Sequence, residues 1–568
     1  MNRNLVRADY IVFIVYFIIV AAYGLWIYRR KKKAVTETKD FFLAEGTLTW
    51  WAIGASLIAS NISAEQFIGM SGDGFFAGIA IAAYEWIAAI ALIIIAIWFI
   101  PVYLKNKIYT MPQFLKTRYN ESVALIMAIF WLLLYIFVNL TSILYLGAVA
   151  INGLVGGEYL HPIMIGLAIF SLVIALGGMK VIGYTDVIQV AVLIIGGLAT
   201  SYLALTVVAK NFGLGSDALA GFNAMIKDAP EHFHMIFHKP TPASSQLQID
   251  KFLILPGLAM YAAGQWIVNL NYWGCNQYIT QRALGANLTT ARTGILFAGF
   301  LKLLMPIIVM LPGIAAWVLY KHGHLNLEGG SKDYAYSAVL GFLPAGLKGL
   351  SIAALTAAIV SSLAGKINSI STIFTLDIYK KYFNKEADEQ KMVRTGRISI
   401  AIALVIGILF TWKDLLGISS SGGFTYIQKY TGYISPGILA MFLLGMFWKR
   451  TTAAAAVAGL VTGLALCTFF NEFAPDLIGH STWLYTAYPT QIARDGALVT
   501  VWQIPFLICM GLSFLFTMIV MIGFSLAGPR INPKAFQLDR EMFKVKPQTL
   551  ALIVATLMIF AALYVKFW

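Results

Sequence analysis

Charge is scarce in this chain. Asp, Glu, Lys and Arg make up 12% of its 568 residues, about half the share of a soluble domain, while hydrophobic residues make up 59%. An ordinary soluble globular protein is excluded. Cysteine is rarer still: Cys275, Cys467 and Cys509 fall in or beside apolar runs at no metal-ligand spacing. That excludes a disulfide scaffold and a thiolate metal centre, and leaves buried, inert thiols. The histidines sit between apolar runs or at their ends, so the runs offer no imidazole to an intramembrane enzyme. No cleavable signal peptide is expected. The first apolar run, 10–28, lacks a small-residue cleavage site and ends in Arg29-Arg30-Lys31-Lys32-Lys33, a stop-transfer flank.

What the chain has in abundance is long apolar runs. A span needs about 20 mostly apolar residues, and candidates fall near 9–28, 48–72, 77–104, 122–150, 161–178, 183–208, 252–274, 293–319, 346–377, 396–412, 423–447, 452–470, 501–526 and 548–567. The sequence therefore predicts an all-α polytopic membrane protein of about 14 transmembrane helices. The net charge of +15 does not point to nucleic acid, because Lys and Arg collect in alternate loops. They lie at Lys105, Lys107, Lys116 and Arg118, at Lys180, at Arg282 and Arg292, at 380–394, at Lys449 and Arg450, and at 530–546. The opposite short loops, such as 151–160, are nearly free of them. By the positive-inside rule the basic loops are cytoplasmic, and an even span count puts both termini outside.

The longest outer segment, 209–251, contains Glu231-His232-Phe233-His234 and, further on, His238. A short amphipathic surface helix is the ordinary reading, and a metal site the sharper one. With no domain expected after the last span, a sensor kinase is not the expected architecture.

The informative residues are polar ones inside spans, where an unsatisfied polar group costs several kcal/mol. Segment 48–72 holds Ser60, Asn61, Ser63, Glu65 and Gln66 in its middle, which predicts a broken helix lining a binding site at the membrane midplane. Ionisable residues inside spans are functional candidates by default, and here they are Glu65, Glu85, Asp186, Lys302, Lys366 and Lys429. Segment 252–274 is polar again through Gln265, Asn269, Asn271 and Tyr272, with Asn269 and Tyr272 three apart on one helix face. It lies five spans after 48–72, an odd offset that reverses orientation. Matched interrupted spans in two inverted halves point to the binding site of a transporter. Tyr84 and Glu85 add an aromatic ring and a carboxylate, Lys302 a cation that needs an acceptor, and Phe424 and Gln428 a ring and an amide four apart. Amides and charges for hydroxyls, with aromatic faces for C–H surface, suit a neutral polyol. Ser361 and Ser362 sit in a run of small residues. They read equally as helix-packing hydroxyls and as a sodium site completed by backbone carbonyls of the broken helix at 59–62.

These residues carry a resemblance. Trp51-Ala52-Ile53-Gly54-Ala55-Ser56, the stretch Asn61 to Gly72, Tyr84-Glu85-Trp86, Tyr135 to Ser142, Thr185-Asp186-Val187-Ile188-Gln189, Tyr272-Trp273-Gly274, Ala358 to Leu363, Tyr430-Thr431-Gly432 and Ser435 to Leu439 resemble the sodium/solute symporter family, in particular its bacterial sodium/galactose (sodium/glucose) branch. The resemblance implies a LeuT-type core of two inverted five-helix repeats. The organisation would be an extra helix and cytoplasmic loop at 1–47, repeat 1 at 48–208, an outer segment at 209–251, repeat 2 at 252–447 and three additional helices at 448–568. It implies sugar contacts at Gln66, Glu85, Asn269, Lys302 and Gln428; an inner gate of Tyr272 held by Asn61; and an outer gate of Met70, Tyr84 and Phe424. It implies sodium ligands at Ala59, Ile62, Ala358, Ser361 and Ser362, and a sodium exit at Asp186.

The function it implies is sodium-coupled hexose import across the plasma (inner) membrane, with sodium as coupling ion, no enzymatic cofactor and no nucleic acid. The protein would be a monomer or weak oligomer in the lipid bilayer. Other solutes (myo-inositol, sialic acid, proline or another carboxylate) and a non-transporting sugar sensor remain alternatives. Three positions depart from the family pattern. Ala88 replaces a sugar-touching serine, and Ala364 replaces a hydroxyl found in two-sodium relatives, which implies one sodium per cycle. Lys366 stands where an apolar residue is usual, and is expected either to snorkel to cytoplasmic water or to pair with Asp186 near the inner exit.

Overall fold

The computed structural model describes residues 5–30, 49–155, 159–176, 178–327, 331–412, 423–494 and 497–568. The basic segment at 31–33 and most of the loop expected to be cytoplasmic at 29–47 lie outside these residues, as does the side chain of Lys180. Ten of the described helices are long and apolar enough to cross a membrane, or eleven if one bent pair is a single span. That criterion does not reach fourteen, because several spans are not continuous helices. Segment 48–72 is split into two, and 161–178 forms a helix of 16 residues, Leu160–Ala175.

The first break has a local cause. Helix α1, Trp50–Asn61, ends where Ile62 turns extended at φ −79° and ψ 111°. Its continuation, α2, begins at Glu65 in a wide turn, Glu65–Met70, and runs on as Ser71–Ala77. Ser63-Ala64-Glu65-Gln66 has the spacing of a capping box. The Ser63 hydroxyl accepts from the Glu65 amide at 3.1 Å, and the Gln66 side-chain oxygen accepts from the Ser63 amide at 3.1 Å. A new helix start is thus written inside an apolar run.

The second break lies further along than the sequence suggests. Segment 252–274 is not one straight helix: Gln246–Ala262 and Gly264–Cys275 meet at 82°. The polar helix α3, covering Gly264–Leu270 and Asn271–Cys275, is followed by an extended residue, Asn276, at φ −97° and ψ 122°, and then by α4, Gln277–Leu284. The Asn276 side chain caps α4, accepting from the Tyr278 amide at 3.1 Å. Helix α4 is almost wholly buried, so Arg282, expected in a cytoplasmic loop, is 4% exposed inside the protein.

Around these breaks pack helices α5, Leu288–Val309, and α6, Leu347–Thr372. Helices α1 and α5 cross glycine to glycine. A Cβ on Gly54 would stand 2.8 Å from the Gly294 carbonyl, and one on Gly294 would stand 2.8 Å from the Trp50 carbonyl. The start of α6 is capped from afar, because buried Asp9 of the first helix, Arg7–Arg30, accepts from the amides of Gly346 at 2.7 Å and Gly349 at 2.9 Å.

The chain is not entirely helical. Tyr488–Arg494 and Ala497–Gln503 pair as an antiparallel hairpin. The β-favouring residues Val499, Val501 and Trp502 therefore belong to a strand. The span expected at 501–526 starts only at Phe506, after Pro505. The three cysteines are buried and unpaired.

In the outer segment the helices are Ala218–Asp228 and Gln246–Ile254, while the histidine stretch itself forms only the short turn Pro230–His232. No cluster of metal-binding side chains occurs among the described residues. His232 is instead a packing residue, stacked on Trp317 at 5.0 Å, with its Nε2 donating to the Phe75 carbonyl at 3.0 Å. Burial, reinforced by the charge of Lys251, pushes its pKa down to about 4. The unfolded chain takes up this proton near 6.5 while the folded chain resists it to about 4. Stability is therefore full above pH 6.5 and declines as pH falls from there toward 4. Thermal unfolding in detergent across this range should show that decline, and His232→Gln should flatten it.

Candidate substrate cavity and ion cluster

Helices α1, α2, α3 and α5 and the later helix α7, Gly423–Phe447, converge on one polar cavity. Gln66, Glu85, Asn269, Lys302 and Gln428, the five expected sugar contacts, all line it. Lys302, 1% exposed, donates to the Glu85 carboxylate and to the Asn61 side-chain oxygen, and its ammonium lies 5.2 Å from the Trp273 ring. Asn61 passes the contact on: its amide donates to the Tyr272 hydroxyl at 3.3 Å. Asn269 donates to the Gln265 carbonyl at 2.9 Å, and the carbonyl end of Gln66 is held by Ser63. Asn269 and Gln66 are thus each held at one end by a neighbour in their own segment, while Asn61 is engaged at both ends. Ala88 lies in the wall as well.

Of the expected outer gate, Tyr84 and Phe424 touch edge-on at 5.2 Å and both border the cavity, while Met70 is buried outside its lining. Gly69 allows α2 to approach α7 here, since a Cβ would meet the Phe424 amide nitrogen at 2.8 Å. Beyond this ring pair lies a charged cluster that the sequence reading did not anticipate. Asp73 pairs with Lys332 and accepts from the Thr425 hydroxyl at 3.1 Å, and Asp333 accepts from the Gly423 amide at 3.1 Å. Lys429 is partly exposed and pairs with Glu472 at 3.2 Å.

On the other side of the break, α1 meets α6 through oxygen atoms. The Ser60 carbonyl accepts from the Tyr278 hydroxyl and faces the Ser362 hydroxyl at 3.4 Å. The Ser361 hydroxyl donates to Asp186, which also accepts from Ser56 at 2.8 Å. Arg282 donates to the Ser56 hydroxyl at 2.9 Å and stands 3.8 Å from Asp186. Ala59, Ile62 and Ala358 are buried beside these groups. Hydroxyls and carbonyls of this kind are the donor set a hard monovalent cation takes.

Lys366 is where neither expectation put it. It does not snorkel and does not reach Asp186. It is 2% exposed, pairs with Glu65 at 3.2 Å and donates to Asn139 at 3.0 Å, in the wall of the same cavity. Tyr278 and Arg282 were missed because α4 is too polar to read as membrane-embedded.

A profile of the sodium:solute symporter family matches residues 41–463. The chain is 42% identical over 584 residues to a sodium/glucose cotransporter of Vibrio parahaemolyticus, covering 100% of this chain and 99% of the relative. It is 33% identical over 487 residues to sodium/glucose cotransporter 1 of Sus scrofa, covering 82% of this chain and 72% of the relative. It is also 33% identical over 490 residues to sodium/myo-inositol cotransporter 2 of Mus musculus, covering 82% and 70%. Among solved structures, a Na+-coupled sialic acid symporter in a substrate-bound outward-open state superposes with a TM-score of 0.74 at 19% identity, over 93% of this chain and 99% of that one. That likeness shows the fold, a LeuT-type helical membrane architecture.

Removing one member of a buried ion pair strands the other, at a cost of about 3–5 kcal/mol. Lys302→Met alone should therefore lower the unfolding midpoint in detergent sharply. Adding Glu85→Gln should recover most of the loss, as read by thermal denaturation of the purified protein.

Proposed function

The chain belongs to the sodium:solute symporter family, and we propose that it imports a hexose by alternating access, coupled to sodium. The observation that carries this reading is the joining of two sites by one broken helix. Gln66 on α2 lines the cavity together with Glu85, Asn269, Lys302 and Gln428, and Ser60 on α1 belongs to the oxygen cluster at Ser361 and Ser362. In the proposed cycle sodium binds between α1 and α6 through carbonyls at Ala59, Ile62 and Ala358 and the two serine hydroxyls, and favours the outward-open state. Sugar then enters past Met70, Tyr84 and Phe424, stacks on Tyr272 and leaves to the cytoplasm, with sodium departing past Asp186. Binding of each solute raises affinity for the other by the same factor.

The finer features belong to the same proposal. With Ala364 lacking a hydroxyl, one sodium accompanies each sugar. The protein sits in the inner (plasma) membrane with both termini outside, acts as a transporter and not an enzyme, and works as a monomer or weak oligomer. The repeats run from 48 to 208 and from 252 to 447, flanked by the segments named above. A carboxylate substrate is disfavoured by the pairing of the cavity cations: Lys302 is met by Glu85 and Lys366 by Glu65. A cyclic polyol is the second reading, because the relative named for myo-inositol is as similar as the mammalian one named for glucose.

In proteoliposomes, an inward sodium gradient should drive uptake of labelled hexose, with competition by a panel of sugars, inositols and organic acids naming the solute. Equal uptake from potassium buffer would overturn the coupling. Gln428→Ala should raise KM about tenfold, the value of one hydrogen bond to a ligand at about 1.4 kcal/mol. Ser362→Ala should abolish the sodium dependence and leave the unfolding midpoint nearly unchanged.

A further inference from the structure

The cavity contains a second set of charged groups that the proposed cycle leaves without a task. Glu65 follows the first break, Lys366 lies on α6, and Asn139 lies in the wide turn Leu134–Leu140 of the helix Glu121–Val155. All three are buried and all three line the cavity. Their arrangement repeats that of Lys302, Glu85 and Asn61. In each case a lysine donates to one glutamate and to one asparagine side-chain oxygen. In each case an aromatic ring lies beneath the ammonium, Trp273 at 5.2 Å from Lys302 and Tyr278 at 5.4 Å from Lys366.

An ammonium has three N–H donors. Two of those on Lys366 meet Glu65 Oε1 and Asn139 Oδ1, and the third has no acceptor among the described residues. Glu65 Oε2 likewise receives no donor among them. A spare N–H beside a spare carboxylate oxygen is one donor and one acceptor on a rigid base. Two neighbouring hydroxyls present the complement, one accepting and one donating. A buried ion pair kept only for stability would gain little over apolar residues of the same size, whereas one facing a cavity has polar groups to offer a ligand.

We propose that Glu65, Lys366 and Asn139 form a second diol-reading clamp, and that this clamp sets which hydroxyl pattern the transporter accepts. The inference rests on the hexose reading above. The ligand class is a polyhydroxylated six-membered ring with hydroxyls on two separate edges. Lys302 and Glu85 read one edge, and Lys366 and Glu65 read the other.

The test is competition uptake in proteoliposomes under an inward sodium gradient, with a series of monodeoxy hexoses each missing one ring hydroxyl. Wild type is compared with the charge-neutral double variant Lys366→Met/Glu65→Gln. Asn139→Ala is run in parallel, because it keeps the ion pair intact and so does not depend on the double variant folding. In wild type, each hydroxyl read by a clamp should carry a penalty of about five- to twentyfold when removed. In both variants the penalty should disappear or shrink at one or two adjacent ring positions and persist at those read by Lys302 and Glu85. A purely structural role would lower uptake of all sugars alike and leave the penalties unchanged, and that result overturns the clamp. Absence of sodium-driven uptake of any sugar by wild type would instead overturn the hexose reading, and the clamp with it.

Discussion

A backbone interrupted inside hydrocarbon has to satisfy its own freed amides and carbonyls, since no water is there to do so. Everything specific to this protein follows from how that is done at Ile62 and Asn276. At the first break Ser63 and Gln66 hold each other, and the Ser60 carbonyl is taken by Tyr278. At the second, Asn276 caps the helix that carries Tyr278. The second interruption therefore serves the first: the helix that starts after Asn276 carries Tyr278, whose hydroxyl closes the helix before Ile62.

This arrangement brings charge indoors. Arg282 enters with α4 and meets Ser56 and Asp186, and Asp186 in turn holds Ser361. Through these contacts α1, α4 and α6 share one polar seam on the far side of the break from the polar cavity. A change in how α1 sits against α6 is thereby felt at both sites through a single short stretch of chain.

Much of this was legible in the sequence, and what was not had physical reasons. Asn61, Gln66, Glu85, Lys302 and Gln428 stood out because polar residues are costly in apolar surroundings, and the cavity gathers them. Lys302 was legible as a buried cation in need of an acceptor, and the structure supplies Glu85. Arg282 and Tyr278 were hidden because Gln277 to Leu284 is polar enough to resemble a loop, although it is buried within the bundle. The site of the first break was legible in the capping-box spacing from Ser63 to Gln66, but that signal is swamped by the apolar residues around it. Lys366 was misplaced because helix spacing says which face a side chain occupies and not which neighbour crosses that face. Only the end of the hairpin at 488–503, residues 501–503, was absorbed into the span expected at 501–526, because Val501 and Trp502 are as apolar as the residues of a helix.

The two lysine–glutamate pairs have an electrical consequence. Each sums to zero whether its proton sits on the amine or on the carboxylate, so the cavity walls carry no net fixed charge in either case. A neutral solute adds none. As the gates alternate, the membrane voltage then has little hold on the walls or on the sugar. It acts chiefly on the cation that travels with the sugar.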